Sequence, residues 1–532
     1  VAGTFILKPY VRRKEPGRFG LLLRGVGLVL LAAFYGLMCS VLPMQLLIIP
    51  LLPILIMAGF ILWMLPDTGG IRADVLAKLM LWYAGLNIVW PFYVAFDVPG
   101  LPWVTPTRIV IGIITAIFLV NLASSSELRA RLIDTISVSK PVRLLFWAFC
   151  ALTAASLVFS AAPVFSINKF INNQIYWTMI FMLSAFLATR PGFVTKLSKV
   201  LVVTIIVVAM AGIVEARMER VIWIDHLPGF LTVDQGLIET FAKSQSRAGT
   251  DVYRVRGTMG VSLYYAEYLA LVFPLVLHVM FQQTKLRWSI LVGLGAFAVL
   301  VNMYVTNARS GVIGALIALV LYFFFAVYRL RRNQPSSLAA SAAVWAYPMG
   351  LVGLVVLTLS WRRLRVMTLG GGQQQASSDA RSAQWASGWP KIFDHPFGHG
   401  VARAADTLGY TNQAGFLTID SYYLSLLLEY GPLGLLTFVV MFALAAWFGF
   451  RMFVTAKNAD ELVAGPFAIG LVSFVIIKSV LSSEINIPIA FMMAGCIIGL
   501  MWQRAHAGAA VPEPAPPADA SRWAAARAPR PA

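Results

Sequence analysis

The chain has 532 residues, of which 59% are apolar and only 12% charged. Soluble domains run at about 45–50% apolar and about 25% charged. With a mean hydropathy of +0.78, an ordinary soluble enzyme is excluded and an all-α polytopic membrane protein is expected. The formal charge of +19, from 42 Lys/Arg against 23 Asp/Glu, falls largely between apolar runs. Membrane orientation accounts for that excess before nucleic acid does, so no nucleic-acid partner is expected.

In chain order, a basic arm over 1–24 carries Lys8, Arg12, Arg13, Lys14, Arg18 and Arg24. Apolar runs then predict about fourteen transmembrane helices, over 25–42, 46–65, 79–96, 109–123, 144–162, 170–188, 198–214, 258–281, 288–305, 311–328, 341–360, 423–450, 464–481 and 485–502. They group as an N-terminal bundle (25–214), central helices (258–360) and C-terminal helices (423–502). Alternate short loops carry Arg72/Lys78, Arg129/Arg131/Lys140/Arg143, Arg190/Lys196/Lys199, Lys285/Arg287, Arg329/Arg331/Arg332 and Arg451/Lys457. That bias puts these loops and both termini in the cytoplasm. The first span lacks a small-residue cleavage site, so no cleavable signal peptide is expected. Two long connections, 215–257 with interfacial segments and 361–422, then lie outside. The tail 503–532 is Ala/Pro-rich and expected to be disordered. Cys39, Cys150 and Cys496 all fall within apolar spans and give neither a disulfide framework nor a zinc spacing.

The outside loops hold several arginines, an unfavourable sign there for orientation alone, and an anionic ligand is one reason for them. Contact with lipid phosphates at the interface is the other. Arg256 stands before Gly257 at the entrance to the eighth span, with Arg254 as the weaker neighbour. A guanidinium at this depth forks two phosphate oxygens and stays charged. Glu267 lies inside that span, where an ionisable group faces a partner or a cavity; a structural hydrogen bond is the rival reading. Arg309, in the short TNARSG corner over 306–311, sits where free N–H groups of a helix N-terminus also favour an anion. In the long loop, Arg381 and Trp385 are i,i+4 neighbours if helical, and the indole can stack on a sugar ring. His395 and His399 belong to the DHPFGHG run over 394–400, and each also reads as a structural histidine. Asp420 opens the twelfth span with Ser421 and Tyr422, and is either its N-cap or a group facing the outer cavity.

No Walker A, GxGxxG, HExxH or CxxC pattern occurs, so ATP, NAD and zinc have no support and no cofactor or metal is expected. Arginines at an outer mouth fit a lipid-linked phosphate or diphosphate donor. Its leaving group is already activated, and its developing charge can be stabilised without metal or nucleotide.

Four stretches, RVRGTMGVSLYYAEYLALVFP (254–274), TNARSGVIGALIA (306–318), RSAQWASGWPKIFDHPFGHG (381–400) and DSYYLSLLLEYGPLGLLTF (420–438), together resemble the O-antigen ligase/O-antigen polymerase superfamily of bacterial inner-membrane glycosyltransferases. The resemblance spans roughly 254–450. It implies a multi-helix lipid-dependent glycosyltransferase fold with a large periplasmic loop, an undecaprenyl-pyrophosphate-linked glycan donor, a glycan or lipid acceptor, and a chain-length regulator as a further partner. By matching motif it assigns pyrophosphate binding to Arg256, Arg309 and Arg381. Ligases typically begin the last motif with His-Asn, whereas this chain has Asp420-Ser421. That departure points toward the exopolysaccharide or O-antigen polymerase branch, with Asp420 as proton acceptor, His399 second, and Arg254, Glu267, Trp385 and Tyr422 in support. The expected activity is polymerisation of lipid-linked repeat units at the periplasmic face, releasing undecaprenyl pyrophosphate. A ligase acting on lipid A-core and a lipid-linked glycan transporter are the alternatives.

Overall fold

The computed structural model describes residues 73–96, 103–234, 252–369, 375–411 and 415–507, with a few positions between 26 and 71. Two compact units divide the chain after Thr68. In the first, the described residues include a helical segment over 57–62. The arm 1–24, most of the expected spans 25–42 and 46–65, and the tail from 508 onward lie outside the described residues.

The second unit is almost wholly helical. In chain order it contains α1 (Ala73–Val89), α2 (Pro106–Ser124), α3 (Ser126–Ser137), α4 (Lys140–Ser156), α5 (Pro163–Asn173), α6 (Ile180–Leu187) and α7 (Phe193–Met218). It continues with α8 (Ser262–Gln282), α9 (Leu286–Val305), α10 (Arg309–Asn333), α11 (Leu338–Ser360), α12 (Arg362–Leu369), α13 (Gln375–Asp394), α14 (Ala404–Leu408), α15 (Tyr422–Val454), α16 (Ala459–Lys478) and α17 (Ile487–His506). Ten helices among the described residues are long and apolar enough to cross a membrane, against the fourteen expected. Part of the difference lies in the undescribed N-terminal spans. The rest has local causes: α1 has 17 residues, and a π-helical stretch, Gln174–Met179, separates α5 from α6.

Local chemistry sets the helix ends. Thr105 accepts from the Arg108 N–H at 3.2 Å, with Pro106 supplying the first-turn φ of α2. At α16, Asn458 accepts from the Glu461 N–H and Glu461 reaches back to the Lys457 N–H, a reciprocal capping arrangement. Helices α8, α16 and α17 are mostly apolar and bury most of their residues, as central helices do. By contrast, α11 buries only Ala340 and lies at the periphery.

The 215–257 connection departs from a purely helical reading. Its strand β2 (Leu231–Val233) pairs antiparallel with β1 (Val94–Phe96), and Trp223, Ile224 and Leu227 pack around Tyr93 and Val94. Of the apolar residues along this connection, Ile224, Leu227 and Leu231 pack into that small cluster, whereas Phe230 stays exposed.

Helix α15 is broken at Gly431, whose φ of 73° is open to glycine and whose hypothetical Cβ would lie 1.8 Å from the Pro396 carbonyl. Pro432 follows and has no N–H to give Leu428. The 394–400 loop closes the gap: the His399 N–H donates to the Leu428 carbonyl at 2.8 Å, and the Gly400 N–H to the Glu429 carbonyl at 3.3 Å. A loop that looks irregular in sequence therefore satisfies the carbonyls freed by a broken membrane helix.

Candidate functional site: an arginine-lined cavity

Four helix ends meet at one end of the bundle: the N-termini of α8, α10 and α15 and the C-terminus of α16. The segment before α8 is fixed there by Glu215, a fully buried carboxylate near the end of α7. Glu215 accepts from the Arg256 N–H at 3.0 Å, the Gly257 N–H at 2.9 Å and the Tyr253 hydroxyl at 2.9 Å. Gly257 turns with φ +53° against the Tyr265 ring, 3.1 Å from where a Cβ would stand. This anchor sets the direction of Arg254, whose Nε donates to the Thr306 carbonyl at 3.2 Å.

These ends enclose a cavity of about 410 Å³, with Arg254, Asn307, Arg309, Arg381, Asp420 and Ser482 in its lining. Arg309 starts α10 and Arg381 lies on α13, yet both guanidiniums reach the Ser378 hydroxyl, each at 3.4 Å. Burial lowers the Arg381 pKa, the neighbouring Arg309 lowers it further, and Asp420 opposes both. Two cations held this close favour a ligand carrying more than one negative charge.

The Asp420 carboxyl is pushed above its ordinary range by burial, with Arg381 pulling it back down. Its backbone N–H donates to Oε1 of the buried Gln384 at 2.9 Å. The cap of α15 is Ser421, whose hydroxyl accepts from the Leu424 N–H at 3.4 Å. The capping role that competes for Asp420 in sequence thus belongs to its neighbour, and Asp420 lines the cavity. Two guanidiniums beside a carboxylate can hold an anion while the carboxylate takes a proton in the same space.

The other candidates sit elsewhere. Arg256 is buried, with its guanidinium 6.0 Å from the centre of the Tyr253 ring, and is not among the cavity-lining residues. Glu267 is fully buried and pairs with Lys478 at 2.6 Å, while Asn486 donates to its other oxygen at 2.9 Å. Lys478 also donates to the Ser483 carbonyl and lies over the ring of the buried Tyr422. This cluster tethers the turn that brings Val480, Leu481 and Ser482 to the cavity. His399 stands at the α15 break with Nδ1 3.0 Å from the Leu428 carbonyl, and its ring lies 4.6 Å from that of His395. Burial lowers the His399 pKa. Trp385 and Trp389, 5.5 Å apart, line an open trough of about 590 Å³ that shares Arg381 and Val480 with the arginine cavity. Glu215, Ser378, Gln384 and Lys478 were not singled out in the sequence; Lys478 carried the clearest signal, a charge inside an apolar span.

Residues 294–439 match the family model described as O-antigen ligase. That stretch resembles the O-antigen ligase family. It takes in Arg309, Ser378, Arg381, His399, Asp420 and Tyr422, and leaves Arg254, Arg256 and Glu267 outside. Among curated proteins, none matches the chain.

Proposed function

We propose that the protein is a multi-pass membrane glycosyltransferase that moves a glycan from a lipid diphosphate carrier to an acceptor hydroxyl. The observation that carries this reading is the convergence of Arg309 and Arg381 on Ser378 in the cavity that also holds Asp420. Arg309, Arg381 and Arg254 hold the diphosphate. The acceptor oxygen forms a bond to the anomeric carbon as the bond from that carbon to the diphosphate oxygen breaks. The hydroxyl proton passes to the Asp420 carboxylate, and the lipid diphosphate leaves as an anion whose charge the guanidiniums stabilise. In this scheme Arg254 takes the clamp position expected of Arg256, and His399 supports the site through the helix break. Trp385 and Trp389 offer ring faces to the sugars next to Arg381.

The cavity lies at the helix ends opposite Lys285, Arg287, Arg331, Arg332, Arg451 and Lys457. By the positive-inside rule those basic ends face the cytoplasm and the cavity opens on the outer side of the membrane.

Ligase is the leading form of the activity, because the matched family model is that of O-antigen ligases. Polymerase, put first by the sequence, remains the second reading, favoured by Asp420-Ser421 where ligases typically have His-Asn. Reconstitution with a lipid-linked repeat unit, with and without a lipid A-core acceptor, separates them. A ligase product requires the core acceptor, whereas a polymerase makes a ladder from repeat units alone. No new glycosidic bond in either arm refutes glycan transfer.

A further inference from the structure

A second cavity, of about 580 Å³, lies at the opposite end of the bundle. Its rim carries Arg332 at the end of α10, Arg451 near the end of α15 and Arg504 at the end of α17, and its walls include Tyr328, Trp447 and Phe450. Among the described residues, no Asp or Glu lines it. Arg504 is already engaged, donating to the Thr455 hydroxyl at 2.7 Å and to the Thr455 carbonyl, and facing Glu461 at 3.4 Å. Arg332 and Arg451 are exposed. The Phe450 ring lies 5.6 Å from Tyr328, 5.8 Å from Trp447 and 4.5 Å from Phe325, which builds a fixed aromatic wall below the charged rim.

We infer that this cavity binds an anionic phospholipid, with the headgroup phosphate between Arg332 and Arg451 and an acyl chain against Trp447 and Phe450. Charge complementarity selects the head, because cations ring the mouth and no carboxylate lines it among the described residues. The apolar wall selects a lipid over a free phosphate, which would leave the aromatic surface uncovered. The ends of α10, α15 and α17 stand where a membrane-spanning bundle meets lipid headgroups, and tryptophan and tyrosine are at home at that depth. This site is separate from the arginine-lined cavity and does not depend on the glycan-transfer reading.

The test is native mass spectrometry of the purified full chain titrated with phosphatidylglycerol, phosphatidylcholine or inorganic phosphate. Wild type is expected to retain phosphatidylglycerol in preference to phosphatidylcholine. R332Q/R451Q is expected to weaken phosphatidylglycerol binding by about twenty-five-fold, two basic contacts being worth about fivefold each. R332K/R451K should keep most of the affinity, and Trp447→Ala should weaken binding while leaving the preference for the anionic lipid. Equal retention of both lipids by wild type overturns the proposal, as does unchanged phosphatidylglycerol binding in R332Q/R451Q. Competition by millimolar inorganic phosphate as effective as that by lipid assigns the site to free phosphate and overturns it as well.

Discussion

Replacing Lys478 by Met should be among the most damaging single changes away from the cavity surface. Lys478 and Glu267 are both fully buried, 2.6 Å apart, and each has further polar partners, Ser483 for the lysine and Asn486 for the glutamate. Removing the lysine strands a carboxylate that retains one amide donor, at a cost of about 3–5 kcal/mol for breaking a buried pair from one side. The double variant E267Q/K478M strands no charge. The amide introduced by E267Q can still accept from Asn486, and the remaining loss is the Ser483 carbonyl's donor, about 1–3 kcal/mol. The double variant should therefore be more stable than K478M alone by about 2 kcal/mol, and a double-mutant cycle should show the two changes costing less together than the sum of the single losses. Apparent unfolding midpoints in detergent, followed by size-exclusion chromatography for all four proteins, provide the assay. Glycan transfer should follow the same order, because the tethered turn supplies Val480, Leu481 and Ser482 to the cavity. A K478M protein with the wild-type midpoint, or a double variant as unstable as the two single losses added, refutes the reasoning.

Transfer rates should fall on the acid side as Asp420 takes up its proton, with the limb above the ordinary carboxylate range because burial raises its pKa. Arg381 opposes that shift, so R381Q should move the limb of any residual activity to higher pH in a rate–pH profile. A limb that stays in place separates Asp420 from the proton transfer. Gly431→Ala forces a Cβ against the Pro396 carbonyl at a positive φ, and should greatly reduce the yield of monodisperse protein on size exclusion, whereas Gly112→Ala on α2, where an added Cβ meets nothing within 4 Å, provides a helical comparison. Glu215→Ala frees the Arg256 and Gly257 N–H groups and the Tyr253 hydroxyl from their shared acceptor. It should increase proteolytic cleavage within 252–260 and reduce transfer, although Glu215 is not among the residues lining the cavity.

The membrane helices were legible because twenty-residue apolar runs need no partner to be recognised. The sequence also singled out Arg309, Arg381 and Asp420, three residues from separate segments that the fold brings to one cavity. It did not resolve the choice within each local pair. Arg254 and Arg256 look equivalent as letters, yet the Glu215 anchor buries one and sends the other to the cavity. Asp420 and Ser421 both suit a cap, and only the Ser421 hydroxyl bond to Leu424 assigns it. Glu267 was visible as a costly charge, but its partner Lys478 lies on a distant helix, and periodicity carries no information about such pairings. The same holds for His399, whose role at the α15 break depends on a proline and glycine in another segment.

The binding of undecaprenyl pyrophosphate to wild type and to R309A/R381A, measured in nanodiscs with both proteins shown to be folded, tests the central claim most directly. Saturable binding by wild type, reduced at least a hundredfold in the variant by the loss of two charge-assisted contacts of about 1.5–3 kcal/mol each, is the expected result. Equal affinity in the two proteins would contradict the assignment of the diphosphate to this cavity.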